Sequence, residues 1–217
     1  MFTMALPEPP SPTAQRLLSH PLTSPLCKGR AEIFSAPAFL LPAACNALIS
    51  SIDTNRQPST VADYNGDNEF RTSETGNLDP TERVVDIVRY SIATLLGLPL
   101  AHAEPLQGQR YMRGQEFKLH CDWFRMDSAD YARYRTLGGQ RTWTAMAYLN
   151  DVDAGGETHF PHLDLSITPR AGMLIAWNNL RSDGSGNPRT RHHEQPVGAG
   201  VKHIITLWFR ERAYLAA

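Results

Sequence analysis

The sequence predicts a mixed α/β (α+β) fold, a double-stranded β-helix of the jelly-roll or cupin-like kind backed by N-terminal helices. Three observations predict it. Two segments with helical periodicity lie in the first hundred residues, a run of short strands divided by turn clusters fills 107–212, and the last strand is apolar on both faces. The chain has 217 residues, 41% hydrophobic and 20% charged, which suits one domain with a full core. A formal charge of −1 gives no overall field toward nucleic acid or anionic lipid. No apolar stretch approaches a membrane span. The opening residues show neither a basic n-region nor an apolar h-region, so no cleaved signal peptide is expected. Three cysteines, Cys27, Cys45 and Cys121, are too few and too oddly numbered for a disulfide framework, and the expected compartment is the cytoplasm.

Residues 1–30 carry Pro7, Pro9, Pro10, Pro12, Pro21 and Pro25 with little periodicity. This predicts a Pro-rich, mostly extended arm ahead of a domain over 31–217, whose barrel occupies about 105–212. Pro42 opens a helix through Ile52, with Leu48, Ile49 and Ile52 inward. A second helix is capped by Asp79, with Pro80 in its first turn and Glu82 three residues after the cap. Val84, Val85, Ile87, Val88, Ile92, Leu95 and Leu96 give it helical spacing, and Gly97 ends it. Strands are then expected over 107–112, 116–120, 142–149, 164–167, 172–177, 190–193 and 202–210. Two long connections read as lids: 54–79, with Asn65-Gly66-Asp67-Asn68, and 125–140, with Arg125, Tyr131, Arg133, Tyr134 and Arg135 before Gly138-Gly139.

The chemistry centres on Gly114-Gln115-Glu116-Phe117-Lys118-Leu119-His120-Cys121-Asp122. On a strand, residues two apart share a face, so His120 and Asp122 can reach one metal while Cys121 points away as a small buried hydrophobe. A third ligand from a distant strand completes a two-His, one-carboxylate facial triad, an arrangement that leaves open positions on Fe(II). His-x-Asp alone is more often two unrelated polar residues on an exposed strand face. The segment Thr190-Arg191-His192-His193-Glu194-Gln195-Pro196-Val197 offers two further histidines, of which only one can face the metal. Lys202, the one lysine beyond Lys118, opens the apolar strand Ile204-Ile205-Thr206-Leu207-Trp208-Phe209. A buried ammonium there calls for an anion, whereas a strand-end lysine that snorkels to water calls for none.

Further pieces join these: Arg71-Thr72-Ser73, Arg110-Tyr111-x-x-Gly114-Gln115, Gly138-Gly139-Gln140-Arg141, Tyr148-Leu149-Asn150, Gly155-Gly156-Glu157-Thr158-x-Phe160-Pro161, His192-x-x-x-Pro196-Val197, Lys202 and Trp208. In this order and spacing, from about Phe70 to Arg212, the sequence resembles the prolyl 4-hydroxylase group of Fe(II)- and 2-oxoglutarate-dependent oxygenases. The resemblance implies His120, Asp122 and His192 as iron ligands, with His192 selected over His193 by its distances to Pro196 and Lys202. It implies Lys202, Tyr111 and Thr158 as partners of the distal carboxylate of 2-oxoglutarate, and Arg141 and Trp208 as substrate-binding residues. His193 then falls outside the barrel, beside Glu194 or solvent, and Gly198–Gly200 form the turn that brings Lys202 inward.

The implied reaction hydroxylates a prolyl residue in a peptide or protein. It consumes O₂, decarboxylates 2-oxoglutarate to succinate and CO₂, and has ascorbate as a helper reductant. Two departures bear on the substrate. Phe117 stands where these hydroxylases often carry tyrosine, and Arg210 stands where some carry histidine. A free amino acid or small metabolite is the alternative substrate, and a non-catalytic 2-oxoglutarate or metal sensor the alternative class. Nucleic-acid demethylases share the triad but typically anchor the oxo acid with arginine, so Lys202 and the missing basic stripe point away from them. The sequence carries no signal for oligomeric state.

Overall fold

Side chains of the two longest strands are buried on both faces and alternate between two apolar clusters, and this alternation sets the layers. In the strand Arg141–Tyr148, Trp143, Ala145 and Ala147 join one apolar cluster, while Met146 and Tyr148 join another. In Lys202–Arg210, Ile205, Leu207 and Phe209 belong to the first and Ile204 to the second. Period-two alternation with both faces apolar requires a sheet covered on both sides. The computed structural model, which describes residues 9–27, 29–60, 67 and 69–215, has this arrangement.

In chain order the helices are α1 (Pro12–Ser19), α2 (Pro42–Thr54), α3 (Arg83–Leu96) and α4 (Ala129–Tyr134). The strands are β1 (Ser24–Pro25), β2 (Ile33–Ala36), β3 (Arg56–Pro58), β4 (Glu74–Asn77), β5 (Gln107–Tyr111), β6 (Phe117–His120), β7 (Arg141–Tyr148), β8 (Ala154–Gly155), β9 (Thr158–Phe160), β10 (Leu165–Ile167), β11 (Leu174–Asn178), β12 (His192–Glu194), β13 (Val197–Ala199) and β14 (Lys202–Arg210). An eight-stranded sheet in the order β1-β2-β11-β7-β14-β5-β4-β3 faces a four-stranded one, β10-β9-β12-β6. A third pair, β13-β8, joins the chain near Lys202. The ladders are antiparallel, so the fold is a mixed α/β jelly roll, with α1, α2 and α3 packed on the outer face of the large sheet.

Helix α2 lies close on that face because two paired glycines leave room. Gly76 and Gly108 are register partners, and a Cβ on either would come within 2.9 Å and 2.3 Å of Ile52 atoms. Helix α3 ends where its sequence says. Gly97 takes φ 68°, and its N–H bonds back to the carbonyls of Ala93 and Thr94. Its start is later than the cap signal at Asp79 suggests. The Asp79 carboxylate accepts from Thr81 N–H at 2.8 Å and builds a turn, and the helix begins at Arg83. Ile87, counted on the apolar stripe, is 51% exposed.

The extended arm is also corrected. Ser11 caps α1, accepting from Ala14 N–H, and Pro12 sits at its first position. Ala14 and Leu17 enter the core, and the Arg16 guanidinium donates to the last carbonyls of α3, Leu95 at 3.1 Å and Thr94 at 3.0 Å. Leu17→Ala is expected to cost about 2–5 kcal/mol, the range for a fully buried leucine, read from urea unfolding. A loss near zero would show that α1 does not dock in solution.

Both lid segments contain regular structure. The strands β3 and β4 lie within 54–79 and extend the large sheet from β5, while Asn65, Gly66 and Asn68 lie outside the described residues. Helix α4 and a 3₁₀ turn at Arg135–Leu137 occupy much of 125–140. Val197–Ala199 forms a short strand rather than part of the expected turn, and Gly200 alone reverses the chain with φ 82°.

Candidate metal centre

The pairing of β12 with β6 sets His192 directly opposite His120. Asp122 lies two residues on, in the bend after β6 ends, so strand geometry places the first histidine and a bend places the carboxylate. Ligand atoms of His120, Asp122 and His192 all lie within 4.8 Å of one another. His120 Nδ1 meets the Lys118 carbonyl at 2.8 Å, and His192 Nδ1 meets that of Thr190 at 3.0 Å. A carbonyl can only accept, so each Nδ1 carries a proton, and Nε2 is the atom that each ring presents to a metal. Burial first, and the neighbouring His192 second, hold the His120 imidazole well below its usual pKa, as a neutral ligand needs.

The carboxylate is oriented with equal care. Asp122 Oδ2 accepts from the buried hydroxyl of Thr144 at 2.7 Å, and that hydroxyl accepts from Asn179 at 2.8 Å. Oδ1 is thereby turned toward His120 Nε2, 3.9 Å away. Two neutral nitrogens and one carboxylate oxygen, each fixed through its other end, form a donor set that fits Fe(II). Phe117 stacks on the His120 ring at 3.5 Å between centroids, and Trp177 packs edge-on against His192.

Cys121 lies outside the cavity lining, half-buried, its thiol 3.5 Å from the Trp123 carbonyl. Cys121→Ala is expected to retain Fe(II) at the wild-type ratio by metal analysis. Loss of iron from a folded variant would mean that the chain bends differently between the two ligands.

Lys202 is fully buried, as its place beside the apolar strand requires of a paired ammonium. Its Nζ donates to the Gly156 carbonyl at 2.6 Å and to the Glu194 carboxylate. Thr158 donates to the same Glu194 oxygen at 2.8 Å and accepts from the Tyr148 hydroxyl at 2.7 Å. Tyr111 is buried nearby, with the ammonium 5.2 Å from its ring centroid. Burial pushes its phenol well up, so it remains a donor. The three residues assigned to the distal carboxylate are therefore together, and a carboxylate of the chain itself is among them. The sequence gives Tyr148 no role and Glu194 only a place beside His193. Glu194 was readable, since it stands two residues after His192 and so shares its face. His193 points to the other face and pairs with Glu116 at 2.7 Å, not with Glu194.

The two substrate candidates separate. Trp208 lines the cavity in front of the triad, with Arg71 and Tyr111 among the other lining residues, whereas Arg141 does not line it. Arg141 is held by Glu104 through two bonds, 2.6 Å and 2.8 Å, and its guanidinium lies 4.0 Å over the Trp208 ring. Arg71, quoted above only as part of a motif, is a member of the cavity wall and lies 4.8 Å from the Phe117 ring.

Residues 106–210 match the model of the 2OG-Fe(II) oxygenase superfamily. The prolyl 4-hydroxylase subunit alpha-1 of Rattus norvegicus is 37% identical over 146 residues, covering 66% of this chain and 27% of that protein. Subunit alpha-2 of Caenorhabditis elegans is 36% identical over 138 residues, 63% of this chain and 25% of the relative. The chain thus spans about a quarter of the length of these relatives. Among solved structures, a viral collagen prolyl hydroxylase from Paramecium Bursaria Chlorella virus-1, in complex with 2OG, superposes with a TM-score of 0.67 at 26% identity, covering 85% of this chain and 98% of that one. A prolyl-4-hydroxylase of Pseudomonas putida shares the fold, with a TM-score of 0.60 at 19% identity over 92% and 97% of the two chains. Over residues 106–210 the chain is thus similar to the 2OG-Fe(II) oxygenase superfamily, and among its members it resembles the prolyl 4-hydroxylases.

Proposed function

We propose that this protein is an Fe(II)- and 2-oxoglutarate-dependent dioxygenase that hydroxylates a prolyl residue of a peptide or protein. The observation that carries the reading is the His120–Asp122–His192 cluster, with both Nδ1 protons committed to carbonyls, opening on a cavity walled by Trp208 and Tyr111. His120, Asp122 and His192 would hold the iron. Lys202, Thr158 and Tyr111 would receive the distal carboxylate of 2-oxoglutarate, a cation and two hydroxyl donors for one anion. Bound there, the metal and the oxo acid supply the oxidation, in which O₂ is consumed and 2-oxoglutarate is decarboxylated to succinate and CO₂.

The chain's own residues orient, insulate and select. Thr144 and Asn179 fix the Asp122 carboxylate, and Phe117, Phe160 and Trp177 pack apolar rings around the histidines and keep water from them. Trp208, under the Arg141 guanidinium, offers a flat apolar wall suited to a pyrrolidine ring, and Glu104 fixes the arginine in that place. The prolyl hydroxylases among the relatives and neighbours support a peptidyl substrate. The buried thiols of Cys27 and Cys45 support a reducing cytoplasmic setting, with ascorbate as the reductant after uncoupled turnover. No helix among the described residues is long and apolar enough to cross a membrane.

The test is to incubate the Fe(II)-loaded protein with 2-oxoglutarate and a proline-containing peptide library. Succinate release and products heavier by one oxygen atom on proline are expected. Succinate release with free amino acids and none with peptides would replace the substrate class. No succinate with any substrate would overturn the enzyme reading.

A further inference from the structure

Glu194 has no part in the reading above, yet it sits at its centre. It follows His192 by two residues on β12, so its side chain enters the barrel beside the metal ligand. It is 3% exposed, and one oxygen, Oε2, takes both the Lys202 ammonium and the Thr158 hydroxyl. Those are two of the three groups assigned above to the distal carboxylate of 2-oxoglutarate, Tyr111 being the third. The other oxygen, Oε1, is buried with no hydrogen-bond partner, which is costly for a carboxylate. Space points the same way. The cavity in front of the triad has a volume of about 30 Å³, with Glu194 in its wall and Lys202 behind it. A water needs roughly 10–15 Å³, so the space left beside Glu194 is that of about two or three waters.

We propose that Glu194 is a specificity-determining residue: a tethered carboxylate that occupies the Lys202–Thr158 anion seat and must be displaced before a 2-oxo diacid can bind. The proposal rests on the reading that this seat is where the distal carboxylate goes. A second carboxylate cannot share one ammonium and one hydroxyl in a site this dry, since like charges in contact disfavour each other. On displacement, Glu194 stays on the cavity wall, where Arg71 is the guanidinium available to it. The consequence is a site with blunted preference for diacids. If the seat is free in about one molecule in ten, apparent 2-oxoglutarate affinity falls about tenfold, while an oxo acid without the distal carboxylate loses nothing.

The test is anaerobic calorimetric titration of the Mn(II)-loaded protein with 2-oxoglutarate and with 2-oxobutyrate, which lacks the distal carboxylate. Glu194→Gln should tighten 2-oxoglutarate about tenfold or more and change 2-oxobutyrate little, so that the ratio of the two affinities rises. Glu194→Ala should do the same and serves if the glutamine keeps Lys202 engaged. The double variant Lys202→Met/Glu194→Gln should bind the two acids alike. If the double variant still prefers 2-oxoglutarate, the seat itself is misassigned. If it loses that preference and neither single variant tightens 2-oxoglutarate, the seat stands and the inference about Glu194 is overturned.

Discussion

Replacing His192 by alanine is expected to eliminate both Fe(II) retention and succinate production, while His193→Ala keeps both. The two residues are adjacent, of one type and at one end of β12, so the contrast isolates register. His192 is the Cα partner of His120, is 3% exposed and presents Nε2 to a site whose other ligands lie within 4.8 Å. With it gone, two ligands remain, and an ion held by two protein groups exchanges with solvent. His193 faces outward to Glu116, in a pair whose side chains are about a quarter exposed, 26% and 24%. Pairs of that exposure contribute up to about 1 kcal/mol, so its removal is felt weakly in stability and not at the metal. Metal analysis after dialysis and a succinate assay decide it. The reverse pattern would shift β12 by one residue and, with it, every inward side chain of the C-terminal strands.

What the sequence made legible was whatever repeats a period or answers a spacing rule. The apolar run of β14 and the helical stripe of α3 with Gly97 after it are local patterns found where they were expected, and His120 and Asp122 do meet, although a bend and not the strand carries the aspartate. What stayed hidden depends on partners far along the chain. Strands β3 and β4, Arg56–Pro58 and Glu74–Asn77, contain Pro58 and Gly76 and no β-branched residue but Thr75, so they carry no strand signal of their own. They are strands because β5 offers them an edge. Helix α1 was lost to a count of prolines, although Ser11-Pro12 is itself a helix-start signal. The Glu194–Lys202 pair was missed for a different reason. A buried lysine demands an anion, and the family resemblance supplies one from outside the chain, whereas the pairing with Glu194 depends on how two strands meet in the barrel.

That pair sets the second large effect. Lys202→Ala is expected to raise the 2-oxoglutarate requirement strongly and also to destabilise the fold, two results that a lysine serving only the co-substrate would not couple. The ammonium is fully buried and Glu194 nearly so, which means that deletion leaves a carboxylate in the interior with only the Thr158 hydroxyl. Breaking a buried pair by removing one partner costs about 3–5 kcal/mol, because the survivor keeps its desolvation penalty without its counter-charge. In a chain of this length each kcal/mol is worth roughly 2–4 °C of Tm, so a fall of about 6–20 °C should be seen without any ligand present. Removing both charges together, as Lys202→Met/Glu194→Gln, should recover most of that Tm, since neutral partners of similar shape leave no stranded ion, while the response to 2-oxoglutarate stays lost. A Tm unchanged in Lys202→Ala would mean that Glu194 is not on Lys202 in the free protein. An unchanged 2-oxoglutarate requirement would move the anchor elsewhere. Arg210, the next basic residue of the strand, is already engaged by Glu104 and the Gly139 carbonyl at the far end of β14, which would leave Arg71 on the cavity wall as the group to replace next.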